Sequence, residues 1–397
     1  MPLLSQRVLE LEESATLQMA AMARQLEAQG LKLIKLNLGE PDFNTPAHIA
    51  QAAKRGIDEG FTRYPPVAGY LDLREAICHK FYRDNNLTYK PNEIVVSTGA
   101  KQSIANAILS IINPGDEVIL PKPYWVSYAA QVQLAEGVCV EIETLPQHGF
   151  KLTPQQLQNA ITPRTKMLIF ASPNNPTGAV YTQDELNELA KIIAQVPNMV
   201  VVSDEIYEHI TYNTPHVSIA SFDFIKDRLV TVNGLSKAYA MTGWRLGYMG
   251  ATKEIAQACE KIQGQFTSGA CSISQRAAIV ALADFMQPTI DMRNEFAKRR
   301  NLILNLLNQI PNITTYPPEG AFYVFPDVSQ YFGKAHGQYK INNIEDLETY
   351  LLYEGHLALV NGKAFGNDQC IRISYAASEA EIIEGMTRFK NALQKLT

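Results

Sequence analysis

Four short segments place reactive or anion-binding residue types directly after apolar, β-branched runs, the position where open α/β sheets hold their ligands. In Asn233-Gly234-Leu235-Ser236-Lys237-Ala238-Tyr239 a lysine follows an apolar run and is flanked by small residues and a hydroxyl. A buried amine in such a place has a lowered pKa and can act as a nucleophile; the alternative is an ordinary solvated charge. In Ser203-Asp204-Glu205-Ile206-Tyr207 a carboxylate ends an apolar run, with a phenol three residues on. An isolated carboxylate is costly to bury, so Asp204 calls for a positively charged partner, unless it serves as a helix N-cap. Ser172-Pro173-Asn174-Asn175-Pro176-Thr177-Gly178 is a cluster of turn formers with two adjacent side-chain amides, open to a structural or a ligand-binding reading. Ser97-Thr98-Gly99-Ala100-Lys101-Gln102 leads into a helix near Lys101, where backbone N–H groups and the positive helix end suit an anion such as phosphate. It matches neither the P-loop nor the G-x-G-x-x-G pattern, and a tight structural turn is its alternative reading.

Short Val- and Ile-rich runs alternate with segments of helical period along most of the chain, the pattern of βαβ units around a mainly parallel, buried sheet. Strands are predicted at 93–97, 117–120, 166–171, 199–203, 228–233 and 245–250. Thr182 and Glu185 form a T-x-x-E box that opens an amphipathic helix over 182–194. A helix is predicted over 11–29, ahead of the Gly39-Glu40-Pro41-Asp42 turn. Gly and Pro breaks around 311–320 mark a second unit, which predicts a small domain built from residues 1–45 and 306–397 around a large domain at 46–305.

The 397 residues are 46% hydrophobic and 19% charged, a globular composition that excludes disorder and fibrous structure. Lys and Arg number 35 against 40 Asp and Glu, with no basic run, so neither a nucleic-acid nor a membrane-surface footprint is expected. No apolar stretch reaches the ~18 residues of a membrane span. The N-terminus, charged at Arg7, Glu10 and Glu12, does not read as a signal peptide. Five scattered cysteines without a C-x-x-C pair argue against a zinc cluster and for a reducing, cytoplasmic setting, with no metal expected.

The four loops, taken in order, resemble the fold-type I, pyridoxal-phosphate-dependent aminotransferases, specifically the class I aspartate aminotransferase family. The resemblance runs from Leu36-Asn37-Leu38-Gly39-Glu40-Pro41-Asp42-Phe43 through Tyr64-Pro65-Pro66-Val67-Ala68-Gly69 to Arg372-Ile373-Ser374-Tyr375. It implies an α/β fold with a large domain, whose mainly parallel seven-stranded sheet is flanked by helices, and a smaller α/β domain from the two termini.

By this resemblance Lys237 matches the Schiff-base lysine, which also shuttles the proton between substrate and cofactor, and Asp204 pairs with the pyridine nitrogen. Tyr207 and Asn175 match donors to the cofactor's phenolic oxygen, and Trp125 matches the residue stacked on its ring. Gly99, Ala100, Lys101, Ser236 and Arg245 lie in or beside the implied phosphate cup. Tyr64 matches a residue given to the phosphate of the neighbouring subunit, which implies a homodimer with shared sites. Arg372 matches the clamp on the substrate α-carboxylate, a bidentate task suited to guanidinium, and Gly39 a backbone contact near it. Trp125 and Asn175 border the substrate as well.

Side-chain specificity follows from the same source. The prokaryotic branch meets the distal carboxylate with a lysine in the G-x-K-Q loop, here Lys101, and adds a hydroxyl, here Thr16 in Ser14-Ala15-Thr16-Leu17. Read as residues alone, Lys101 fits equally a surface charge in a first helical turn and Thr16 a helix-start cap. The substrate pair implied is L-aspartate and 2-oxoglutarate, exchanged in ping-pong fashion. Activity on prephenate, aromatic, alanine or branched-chain amino acids, or a carbon–sulfur lyase, would keep the cofactor residues and differ at the pocket. A cofactor-binding regulatory module without turnover is disfavoured by the presence of both Lys237 and Arg372.

Overall fold

A computed structural model describes residues 3–11 and 13–397. Among these, the apolar runs pair into one seven-stranded sheet built from β1 (Ile94–Ser97), β2 (Glu117–Lys122), β3 (Val138–Glu143), β4 (Thr165–Ala171), β5 (Val200–Asp204), β6 (Leu229–Gly234) and β7 (Gly247–Gly250). Their spatial order is β1-β7-β6-β5-β4-β2-β3. Only β7 runs against the others, pairing antiparallel with β1 and β6. The period-2 alternation of a strand divides each run between two cores. Val95, Val118, Leu120, Met167, Ile169 and Val202 pack on one face, while Ile94, Val96, Ile119, Leu168 and Val201 pack on the other.

All six predicted strands shift by one or two residues at one end or both, and two of the differences matter. Asp204 is the last residue of β5 rather than the first residue beyond it. Arg245, placed in a strand by the pattern, instead adopts the left-handed region at φ 51°, and β7 begins only at Gly247. The edge strand β3 was absent from the pattern-based set because it is half exposed and carries Glu141 and Glu143, so no apolar run announces it. The box at Thr182 caps helix Gln183–Ala194, with the Glu185 N–H donating to Thr182 Oγ1 at 3.3 Å. The helix predicted over 11–29 is shorter, Ala15–Ala28 with Ser14 at its N-cap; Glu12, within the predicted range, lies outside the described residues.

A further core joins the two chain ends. Leu36 packs with Phe296, Ile303, Tyr323, Ile371, Ile373, Met386 and Phe389. Strand Ile34–Lys35 pairs in parallel with Leu357–Ala358, and Ile371–Ser374 lies between Val360–Asn361 and Tyr323–Val324 in a three-stranded sheet. This pairing carries residues 36–40 back to the carboxyl ends of the large sheet.

One glycine controls the approach of helix Ala100–Ile111 to the sheet. A Cβ built on Gly247 would collide with Ala100 N and lie 2.6 Å from Gly99 C and 2.7 Å from Ala100 Cα, all backbone atoms that cannot rotate away. Gly247→Ala is therefore expected to destabilise the protein by about 1–3 kcal/mol, the usual range for overpacking. Urea unfolding measures this directly, and an unchanged midpoint would show that the helix start can yield freely.

Candidate active site

The carboxyl ends of β1, β4, β5 and β6 open into a cavity of about 350 Å³. Residues 37–40, the start of helix Ala15–Ala28, and Tyr323 and Arg372 from the C-terminal sheet complete its walls. All three layers of the chain thus contribute, which is the arrangement expected when a cleft forms where an open sheet meets a second unit.

Asp204 and Lys237 face this cavity from adjacent strands, because Asp204 is registered against Val232 of β6 and Lys237 stands three residues past the end of that strand. No helix begins at Asp204, so the capping reading fails. Its Oδ2 accepts from Tyr128 Oη at 2.7 Å and its Oδ1 from the Ile206 N–H at 3.2 Å. Burial pushes the carboxyl up to about 6, against the pull of Tyr128, Ile206 and Lys237. Lys237 donates from Nζ to the Gly39 carbonyl at 2.6 Å. Burial brings its amine down to about 8; Arg372 and Arg245 act in the same direction, and Glu40 and Asp204 oppose them. The amine is thereby made available as a nucleophile and base near neutral pH.

At 172–178 both sequence readings are realised, by neighbouring residues. Asn174 builds the turn, its Oδ1 accepting from the Thr177 N–H at 3.2 Å and Oγ1 at 2.9 Å. Asn175 is left to face the cavity, where its Oδ1 accepts from Arg372 Nη1 at 3.0 Å. Arg372 is buried, gives Nη2 to the Asn37 carbonyl at 2.6 Å, and lies 4.6 Å from the Tyr323 ring centre and 4.9 Å from that of Phe365. Its Nε and the Asn37 side-chain amide have no hydrogen-bond partner. Unsatisfied buried donors of this kind await a ligand, and a planar guanidinium suits a carboxylate.

The anion-binding character of 97–102 also appears in the geometry. Gly99 caps helix Ala100–Ile111 with φ 85°, a conformation that favours glycine. Its Cα approaches the Arg245 guanidinium so closely that a Cβ would sit 2.7 Å from Nη2. The free N–H groups of the helix start, Ser236 and the exposed Arg245 therefore meet at one end of the cavity, a fit for a phosphate group. Lys101 remains exposed in the first helical turn, with Nζ 4.9 Å from the Trp125 ring centre; burial of its stem and the nearby Arg245 lower its pKa. Thr16 also lines the cavity, its hydroxyl 2.9 Å from Ser14 Oγ. Tyr64 does not line the cavity and is 95% exposed.

Residue-by-residue reading missed Tyr128 and Tyr323, which touch Asp204 and Tyr207; the Tyr207 and Tyr323 hydroxyls lie 2.8 Å apart. Tyr128 had a faint signal, three residues beyond Trp125 at a helix start. Tyr323 had none, being 116 residues from its partner.

The depressed Lys237 pKa has a consequence for the cofactor-free protein. Between about pH 8 and 10.5 the folded amine has lost a proton that the unfolded chain still binds, so stability rises with pH across that window. Below it both states are protonated and the full penalty of burying an ammonium remains. Lys237→Met apoprotein is thus expected to melt above wild type near neutral pH, with the gap closing toward pH 10.5. Calorimetry at several pH values checks this, and a gap independent of pH would overturn it.

Comparison with known proteins agrees with the architecture. Residues 32–389 match the family model of aminotransferase class I and II. A bifunctional aspartate aminotransferase and glutamate/aspartate-prephenate aminotransferase of Petunia hybrida is 47% identical, over 98% of this chain and 82% of its own. An aspartate aminotransferase of Bacillus subtilis is 42% identical over 99% of both chains. Among solved structures, the Rhizobium meliloti aspartate aminotransferase superposes over the whole of both chains with a TM-score of 0.96 at 41% identity. The chain belongs to the class I and II aminotransferases, which are pyridoxal-phosphate-dependent enzymes.

Proposed function

We propose that this protein transfers the amino group of L-aspartate to 2-oxoglutarate, giving oxaloacetate and L-glutamate in two half-reactions. The observation that carries this reading is that, besides Lys237 and the Arg245 assigned to the phosphate, one cavity holds two cations of different kinds. Arg372 is buried, held by two hydrogen bonds and short of a partner at Nε; Lys101 is an exposed point charge on the face of Trp125. A substrate with two carboxylates can satisfy both, the α-carboxylate on the planar guanidinium and the distal one on the ammonium. The names of the Bacillus subtilis and Rhizobium meliloti relatives point the same way.

Bound pyridoxal phosphate supplies an electron sink that makes removal of the substrate Cα proton feasible. The residues supply the rest. Asp204, ionised above about pH 6, holds a proton on the ring nitrogen by its negative charge. Lys237 Nζ takes the Cα proton and returns it on the other side of the transfer. Arg245, Ser236, Gly99, Ala100 and the helix N-terminus would hold the phosphate, with Lys101 beside them, Tyr207 and Asn175 would hydrogen-bond the phenolic oxygen, and Trp125 would stack on the ring. Gly39 and Asn175 flank the α-carboxylate with Arg372, and Thr16 adds a hydroxyl near Lys101.

The exposure of Tyr64 supports a homodimer in which this phenol completes the partner's phosphate site. The core that Leu36 shares with Leu307, Tyr323, Ile371, Ile373 and Phe389 supports a small domain of 1–45 and 306–397 against a large one of 46–305. A cytoplasmic location is in keeping with cysteines that are free among the described residues. Lys101 on its flexible stem also admits bulkier dicarboxylates, and the double name of the Petunia relative makes prephenate the second substrate to try.

The test is the visible spectrum of the cofactor-loaded protein. Its band is expected to bleach on adding L-aspartate and to return on adding 2-oxoglutarate; a band indifferent to aspartate refutes the assignment. Lys101→Ala should raise KM for aspartate by about tenfold or more, the scale of a lost charged contact, and leave KM for apolar amino acids nearly unchanged. Equal losses for both would remove Lys101 from the distal site.

A further inference from the structure

Behind the cavity, the turn that carries Asp204 and Tyr207 rests on a buried cluster of charges. Glu205 and Glu208 belong to the same turn but engage partners away from the cavity. Glu205 is fully buried and accepts from Ser203 Oγ at 2.9 Å, Ser218 Oγ at 2.7 Å and His216 Nε2 at 3.2 Å. Glu208 forms an ion pair with Lys80, of helix Leu71–Asn85, and the two side chains are 3% and 1% exposed. Asn85 bridges them, giving Nδ2 to Glu208 Oε2 at 2.7 Å and taking Lys80 Nζ on Oδ1 at 2.8 Å. His209 Nε2 stands 3.2 Å from Glu208 Oε1, and Asp84 lies 3.7 Å from Lys80.

We infer that the Lys80–Glu208 pair is a positioning device for Asp204 and Tyr207, an inference that rests on the function proposed above. A buried ion pair adds little or nothing to stability relative to apolar or neutral residues of the same shape, because desolvation offsets the attraction. What it adds is direction. The turn needs direction because its cavity side belongs to the other unit. Ile206, Tyr207 and Ile210 pack in the C-terminal core, the Ala321 N–H donates to the Ile210 carbonyl at 2.8 Å, and the Tyr207 hydroxyl meets that of Tyr323. Apolar packing of this kind tolerates sliding, whereas a bridged carboxylate–ammonium contact has one geometry. The ion pair thus keeps the turn in register with the large sheet while its other side follows the C-terminal unit. Burial disfavours the Glu208 carboxylate, but Lys80, His209 and His216 hold it well below the usual carboxylate range, so this carboxylate stays ionised near neutral pH.

The pair can be replaced without leaving a lone buried charge. In Lys80→Met/Glu208→Gln a neutral amide takes over from the carboxylate opposite Asn85. The cofactor-free double variant is expected to melt close to wild type, and Glu208→Gln alone well below it, because buried Lys80 then keeps only the longer contact to Asp84 at 3.7 Å. In the loaded double variant kcat is expected to fall about tenfold or more, as for sub-ångström misplacement of reacting groups. KM for aspartate should stay nearly constant, since Arg372 and Lys101 are untouched. The pH midpoint of the visible band should move away from the wild-type value. A double variant with wild-type kcat and midpoint overturns the inference, as does one whose losses all track its melting temperature. Should the double variant not fold, Asn85→Ala removes only the neutral bridge; a displaced midpoint supports the inference and a wild-type midpoint overturns it. Failure of the functional reading itself would show in the wild-type spectrum with aspartate, not in these differences.

Discussion

Withdrawing a carboxylate and an amine from water at the same sheet edge is the constraint on which the structure depends. Each group alone would be neutralised by its surroundings. The burial that pushes Asp204 up to about 6 and Lys237 down to about 8 narrows the gap between them and brings both toward physiological pH. Two adjacent parallel strands deliver them, since the register of β5 on β6 brings Asp204 beside Val232, just short of the segment that carries Lys237. The apolar alternation that buries both faces of the sheet therefore also creates the low-dielectric edge at which these two groups acquire unusual proton affinities.

The same edge is finished by residues that arrive from both ends of the chain. The Gly39 carbonyl receives Lys237, and the Asn37 carbonyl and Asn175 hold Arg372. One cation is thus pre-oriented by two hydrogen bonds and two aromatic rings, and the other, Lys101, rests on one ring at an exposed helix start. On the proposed function, a rigid fork beside an adaptable point charge would give strict recognition of the group common to all amino acids and permissive recognition of the side chain. At the opposite end, helix Ala100–Ile111 approaches so closely that its first backbone atoms touch Gly247, which places an array of N–H groups where an anion can be held without a dedicated basic patch.

Glu205 and Glu208 give the turn of residues 204–209 a second role. It faces the cavity with Asp204 and Tyr207 and the protein interior with two carboxylates, so one short segment couples the chemistry to buried charges on helix Leu71–Asn85. By the inference above, the buried pair holds the geometry of this turn rather than adding stability.

Much of this was present in the chain as text. Short Val- and Ile-rich runs announced six of the seven strands, a T-x-x-E box announced one helix, the loop motifs placed Lys237, Asp204, Asn175 and Gly99 at or beside the ends of elements, and the family resemblance singled out Arg372. These signals are legible because they are local, arising from side-chain periodicity, capping and turn chemistry within a few residues. The tertiary structure decided what local signals cannot hold. It showed that Asn174 builds the turn that frees Asn175, that Arg245 leaves the strand for a left-handed conformation beside Gly99, that Tyr128 and Tyr323 touch Asp204 and Tyr207, and that Lys80 supports the turn from behind. Apart from the Asn174 turn, which is local to residues 174–177, each of these depends on groups 70 or more residues apart, as for Tyr128 and Asp204 at 76 and Tyr207 and Tyr323 at 116. Such meetings are set by strand register and by the packing of whole elements, which only the assembled core determines.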